Sequence, residues 1–388
     1  MPYPATAMLA DLPAEPPARP LRHVLVGDGE SPHLLKWARA LSQARVHGQS
    51  VEVFAVSTRG FVPDWDAWVA PERRLALNTR PQHAGGNTSL LKQLPRVGAW
   101  LARVDADWIN PHYLTSSGTL ALLAKRVWRL RGRVLASAWG SDILVTPERS
   151  AALRWLTQAI LRQADLCTSD SHHMSARMQA LGAREVMTFP FGLEALPPAT
   201  DSHAAAKPPW LFFANRGLEP IYRPQAVLEL FAQVQAHRPE AQLVVANDGS
   251  LRDALQAWVT QHGLGEAVRF VGRLDAATQA QHYAAARWYL SLPASDSVAV
   301  SVLEAMAHGC VPVLSDLPAN RELVAHRVNG LLVGDAIQGA RQAVPERDWL
   351  EALAEAPRIA ARNRQWVAEH AVFGPCVEAL LRRMQAMA

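Results

Sequence analysis

At 388 residues the chain is longer than one ordinary hydrophobic core supports, so a division into two domains is expected. Apolar residues make up 49% and charged residues 19%, which excludes a disordered chain, and the longest apolar runs fall far short of the roughly 20 residues of a membrane-spanning helix. The formal charge of +4 favours anionic partners without selecting one, and Cys167, Cys310 and Cys376 are too widely spaced for a metal-ligand pattern and read as buried thiols.

Residues 1–20, MPYPATAMLADLPAEPPARP, lack a basic start ahead of an apolar stretch, so they read as a disordered leader and a cytoplasmic address rather than a secretory signal. From Arg22 the run HVLVGDG, a helical SPHLLKWARALSQARVHG and VEVFAVST alternate as in βαβ units of a parallel sheet. Strands over DWINPHYL, RVLASAWGSD, ADLCTSD and EVMTFPFGL complete a first domain, residues 21–194. ALPPATDSHAAAKPP has neither period and reads as a linker, residues 195–209. The alternation restarts with WLFFANRG and runs through AQLVVANDG, VRFVGRL, RWYLSLPA, CVPVLSD and NGLLV, giving a second domain over 210–362. The helical remainder, 363–388, is expected to pack back on the first domain. The fold class is therefore α/β, with two Rossmann-like halves enclosing a cleft at the carboxyl ends of their strands.

The segment Leu292–Val333 carries most of the chemistry. A strand ends at Pro293, a short loop follows, and a helix then opens with unpaired N–H groups and the positive end of its dipole, which suits a diphosphate. Glu304 sits among Ala305, Ala307 and Gly309, small enough for close packing, where a carboxylate can accept bonds from both hydroxyls of a ribose; a surface salt bridge is the plain alternative. Arg216, in ANRGLEPIYRP, follows the first strand of the second domain, where a guanidinium can stabilise a departing diphosphate. In the first domain Gly27 and Gly29 form a strand-to-helix turn with His33 at the helix start, His112 ends one strand, and Asp142 ends the next at the same sheet edge. Asp142 either accepts a bond from an acceptor or a sugar or caps the following helix. Asp105 and Asp107 imitate an Asp-x-Asp metal motif but precede a strand, and His172–His173 lie beside Asp170 and Ser171 as a helix start, so no metal is invoked. KRVWRLRGR, Lys125–Arg133, is either a solvated helix end or a basic patch for anionic lipid; no further motif points to nucleic acid.

The Leu292–Val333 string resembles the signature of glycosyltransferase family 4, in which an acidic residue, seven others and a Glu introduce a helix reading EAMA-G; Asp296 and Glu304 have that spacing. The likeness continues through Pro312-Val313, Asn320-Arg321-Glu322 and Asn329–Val333, and more weakly covers Arg22 to about Val333. It implies the GT-B fold, a UDP- or GDP-linked sugar donor on the second domain, a carbohydrate or lipid-linked acceptor mainly on the first, and metal-free transfer with retention. By resemblance Glu304 holds the donor ribose, Asp296 faces the transferred sugar, and the N–H groups of Ser297, Val298, Ala299 and Val300 approach sugar and phosphate. Arg216 matches the phosphate-binding arginine, and Arg223 stands in for a lysine where Ile221 is found. Gly29 joins the donor-binding set from the acceptor-side turn; His112, with Asp142, is placed near the reacting carbon. Two departures mark the loop, Asp in place of Glu at 296 and no glycine after it. Polysaccharide, lipopolysaccharide or glycolipid assembly, with peripheral contact at the inner face of a membrane, is the implied setting. Rival readings are a nucleotide-sugar epimerase of the same architecture and a non-catalytic sugar-nucleotide-binding protein.

Overall fold

The alternating runs build two sheets in the computed structural model, which describes residues 19–79, 88–198, 207–334 and 343–387. Residues 1–18 of the expected leader and 199–206 of the expected linker lie outside the described residues. The first sheet contains β1 (Leu21–Gly27), β2 (Arg45–Val46), β3 (Gln49–Ser57), β4 (Arg74–Ala76), β5 (Trp108–Pro111), β6 (Arg133–Ser137), β7 (Leu166–Ser169) and β8 (Val186–Thr188). Its order is β2-β3-β1-β5-β6-β7-β8, with β4 on β3, and every pairing is parallel except β2 with β3. Helices cover both faces, which is why the strands read as continuous apolar runs, Val24-Leu25-Val26 being fully buried.

The second sheet contains β9 (Leu211–Ala214), β10 (Gln242–Ala246), β11 (Val268–Gly272), β12 (Trp288–Ser291), β13 (Val311–Ser315) and β14 (Leu331–Val333), in the order β11-β10-β9-β12-β13-β14. Numbered within its own half this is 3-2-1-4-5-6, the doubly wound order, so the chain reverses direction between β9 and β12 and opens a crevice beyond their carboxyl ends. The corresponding crevice of the first sheet lies between β1 and β5.

Two chain segments join the halves. Leu193 N–H donates to Ala371 O at 2.8 Å and Phe373 N–H to Leu193 O at 2.8 Å, laying residues 191–193 beside 371–373. The approach requires glycine at 192, because a Cβ there would stand 1.8 Å from Ala371 O. Buried Lys36, on the Pro32–Gln43 helix, donates to Phe191 O and Gly192 O at 2.6 and 2.8 Å. The Ala356–His370 helix packs on the Val300–Ala307 helix of the second half and runs unbroken across residue 363, so the return to the first half comes after His370. The final helix, Phe373–Ala386, then buries Phe373, Val377, Leu380, Leu381 and Met384 against Trp37 and Phe191 of the first half. No helix among the described residues is long and apolar enough to cross a membrane.

Candidate functional site

In the second half the two loops at the β9–β12 crevice meet. After β9, Asn215 is fixed by buried tyrosines: Tyr289 O–H donates to its Oδ1 and its Nδ2 donates to the Tyr283 oxygen, both at 2.7 Å. Tyr283 O–H in turn donates to Glu304 Oε2 at 2.9 Å, and Gln279 Nε2 donates to the same oxygen at 3.2 Å. Both bonds fall on one oxygen of the carboxylate. Burial raises the Glu304 carboxyl above its ordinary range, the bonds from Tyr283 and Gln279 opposing the shift. The surface salt bridge considered for Glu304 is not what forms.

Next to Asn215, Arg216 pairs with Asp296, Nη2 to Oδ2 at 2.7 Å, reaches Ser301 Oγ at 3.3 Å and lies 4.5 Å over the Tyr222 ring. Burial raises the Asp296 carboxyl and the Arg216 guanidinium opposes it. Arg216, Asp296 and Glu304 are thus assembled at one crevice. Arg223 differs from expectation: its Nε donates to Leu292 O at 2.9 Å, so it braces the end of β12 behind the loop. The first turn of the Val300–Ala307 helix supplies N–H groups that lack intrahelical partners. The Val298 N–H, however, faces the Asp170 carboxyl of the first half, whose pKa it helps to hold down.

The first half presents a different surface at its β1–β5 crevice. The Gly29 N–H donates to Ser57 Oγ at 2.8 Å and its carbonyl accepts from Trp65 Nε1 at 2.8 Å, so this glycine's polar groups hold the turn together instead of reaching a donor. His112 is buried with both ring nitrogens engaged: Nε2 donates to Asn110 Oδ1 at 3.2 Å and Nδ1 accepts from Trp139 Nε1 at 3.0 Å. Burial, with neighbouring His23 adding to it, lowers its pKa to about 3, so the ring stays neutral in one tautomer. Asp142 is consumed likewise, its Oδ1 accepting from Trp139 N–H at 2.9 Å and its Oδ2 from Leu114 N–H at 3.1 Å; burial raises its pKa. The Asp142 carboxylate does not cap the following helix, whose N-cap is Gly140; it braces the N–H groups of Trp139 and Leu114 instead. Gly140, at φ +98°, lets this turn approach Ser297, whose Cβ lies 3.6 Å from where a side chain would begin.

Sequence reasoning missed the aromatic wall beneath this turn and the acid beside it. Trp139 stacks with Tyr113, centroids 6.0 Å apart, and tilts against His33 at 5.0 Å. Tyr113 has φ +66°, a left-handed conformation that costs a bulky residue energy and concentrates at functional sites. Burial and the charges of Lys36 and Arg216 lower His33 to about pKa 4. Asp170, at the end of β7, is buried and accepts a bond from the Ser297 hydroxyl; burial, with Asp296 and Asp142 nearby, raises its pKa to about 7. Its position past the carboxyl end of a strand was the available signal. Asp105 and Asp107 are structural, Asp105 ending a helix at φ +48° and Asp107 Oδ2 accepting from Arg22 N–H at 2.9 Å.

Two doubly wound sheets whose crevices face each other, with an acid pair and an arginine at the second, are the scaffold of GT-B glycosyltransferases. Residues 24–171 match the family model described as "Glycosyl transferase 4-like" and residues 200–356 that described as "Glycosyl transferases group 1". The chain belongs to this family of family 4-type glycosyltransferases. D-inositol 3-phosphate glycosyltransferase of Jonesia denitrificans is 33% identical over 133 residues, 32% of this chain and 31% of that protein. Alpha-monoglucosyldiacylglycerol synthase of Streptococcus pneumoniae is 29% identical over 108 residues, 28% of this chain and 24% of that protein. The alignments thus span a third or less of these curated relatives. Among solved structures, sucrose-phosphate synthase from Thermosynechococcus elongatus superposes with a TM-score of 0.74 at 18% identity over 95% of this chain and 100% of its own. Anabaena HepE in complex with UDP gives 0.70 at 15% identity, with the same coverage.

Proposed function

We propose that the protein is a retaining glycosyltransferase that moves a sugar from a nucleoside-diphosphate donor to an acceptor hydroxyl, in polysaccharide, lipopolysaccharide or glycolipid assembly. The observation that carries the reading is the Glu304–Tyr283–Asn215 chain beside the Arg216–Asp296 pair. Glu304 has both its bonds on Oε2, which leaves Oε1 for a ribose hydroxyl. Arg216 and the N–H groups of Ala299 and Val300 take the diphosphate, and Asp296, released from Arg216 when phosphate replaces it, turns to the sugar. The relatives support a uridine donor, since solved structures of Anabaena HepE hold UDP and UDP-glucose.

Transfer on the retained face breaks the bond from the anomeric carbon to the phosphate oxygen and forms one to the acceptor oxygen. The departing phosphate accepts the acceptor's proton, because Asp142 is held by two backbone N–H groups and His112 has no free nitrogen. Placed positive groups lower the barrier by stabilising the charge that gathers on the leaving group, without a divalent metal. Calorimetric titration with UDP and GDP, each with and without chelator, tests the reading. Binding unchanged by chelator supports it; no binding of either nucleotide, or binding abolished by chelator, overturns it.

A peripheral role at an anionic bilayer forms part of the same proposal, with the cations reassigned. Lys125 Nζ is held by Gly132 O at 2.6 Å, and Arg133 lies over the Trp108 ring. Arg126, Arg129 and Arg131 are the exposed cations of the stretch, around a Val127 that is 61% exposed.

A further inference from the structure

Contacts across the cleft converge on residues 170–173, the turn after β7. Ser171 caps the His172–Leu181 helix, its Oγ accepting from Met174 N–H at 3.1 Å, and lies 2.7 Å from Ser297 Oγ. The hydrogens therefore run one way: Ser171 donates to Ser297 and Ser297 donates to Asp170. On the other side of the turn, Glu322 accepts from His172 N–H at 2.8 Å and His173 N–H at 2.7 Å. Each half thus gives a carboxylate to the other, Asp170 to the donor loop and Glu322 to a helix start whose dipole favours it.

We propose that Asp170 is a positioning residue that catches the donor loop when the cleft closes, fixing Ser297 and so aiming the adjacent Asp296. The proposal rests on the reading of this loop as the donor site. It gives a physical role to one departure noted in the sequence: at 297, where glycine is usual, serine supplies the hydroxyl that reaches across. Asp170 itself need not touch substrate. Its bond to Ser297 exists only when the halves are together, so it biases the open–closed equilibrium and the loop's geometry at once.

The test uses the full chain and the variants Asp170→Ala, Asp170→Asn, Ser297→Gly and the Asp170→Ala/Ser297→Gly double. Small-angle scattering of the free protein reads closure without any substrate, and melting curves establish that each variant folds. Asp170→Ala should have a larger radius of gyration, and Asp170→Asn, whose amide oxygen still accepts from Ser297, should return it toward the parent's. With a transferring donor and acceptor, Asp170→Ala should lower kcat/KM about tenfold or more, mostly in kcat, and the double variant should be no worse than the worse single one. Unchanged scattering in Asp170→Ala, or effects of the two single substitutions that add in full, would overturn the catch. A parent protein that binds no nucleoside diphosphate fails the donor-site reading instead, while the scattering comparison still decides whether Asp170 holds the halves together.

Discussion

The two crevices are built from similar topology and use their polar groups in opposite ways. At β9–β12 Glu304 is held from one side, Tyr283 and Gln279 both bonding its Oε2, and Tyr283 is set in turn by Asn215. At β1–β5 the groups of the right type are satisfied internally: the Gly29 amide on Ser57, the His112 ring on Asn110 and Trp139, the Asp142 carboxylate on two N–H groups. Buried polar groups must be paired. Which partner they find decides whether they carry chemistry or carry shape, and sequence position at a strand end does not distinguish the two.

Removing a presented group should have the largest effect. Arg216→Ala is expected to weaken UDP binding about 10–100-fold while uridine, lacking the diphosphate, is nearly unaffected, corresponding to roughly 1.5–3 kcal/mol for a charge-assisted bond. Titration of both ligands checks this, and equal losses would move Arg216 to the internally satisfied class. Removing a satisfied group should do the reverse. His112→Ala leaves the Trp139 N–H without its acceptor and is expected to cost about 1–3 kcal/mol of stability by denaturant unfolding. UDP affinity should hardly change; a fall matching that of Arg216→Ala would erase the distinction.

A smaller, pH-dependent effect belongs to the junction between the halves. Asp170 has a folded pKa raised to about 7, so between the ordinary carboxylate range and pH 7 the folded protein holds a proton that the unfolded chain releases. Its contribution to stability is therefore lost as pH rises through that window. Buried His23, His33 and His112, lowered to about 4, 4 and 3, act with the opposite sign, so the informative quantity is a difference. The melting temperature of the parent minus that of Asp170→Asn should fall between pH 5 and pH 8. A flat difference would show that Asp170 titrates as an exposed acid. Smallest is the surface term: Arg126, Arg129 and Arg131 changed to Gln should reduce sedimentation with anionic vesicles roughly fivefold per charge and leave UDP binding intact. The same changes at Lys125 and Arg133 should act mainly on stability.

Much of the fold was legible because parallel strands buried on both faces announce themselves as apolar runs. The twelve long runs read as strands are all strands; only short β2 and β4, of two and three residues, carried too little pattern. The segment that brings Asp296 and Glu304 to the second crevice stood out through their spacing. The bracing shell was not, because Tyr283, Tyr289 and Asn215 meet through tertiary packing between the loop after β9, a preceding helix and β12. Arg223 and Gly29 show the same limit: their type and position suited a phosphate, but in the folded chain Arg223 Nε donates to a carbonyl and the Gly29 N–H to a serine hydroxyl. Asp170 lay in a segment read as a helix start, and nothing local tells that Ser297, in the other half, is its partner.

The claim that the second crevice presents its acids to a nucleotide while dividing their labour is tested most directly by calorimetric titration of UDP, or GDP if that is the ligand bound, into Glu304→Ala and Asp296→Ala. Glu304→Ala should lose about 10–100-fold in affinity, since its carboxylate is assigned to the ribose. Asp296→Ala should bind the free diphosphate as tightly as the parent or tighter, because Arg216 is released from the 2.7 Å pair, while turnover with donor and acceptor falls. Loss of diphosphate binding in Asp296→Ala as severe as in Glu304→Ala, or parent-like affinity in both, would contradict the account.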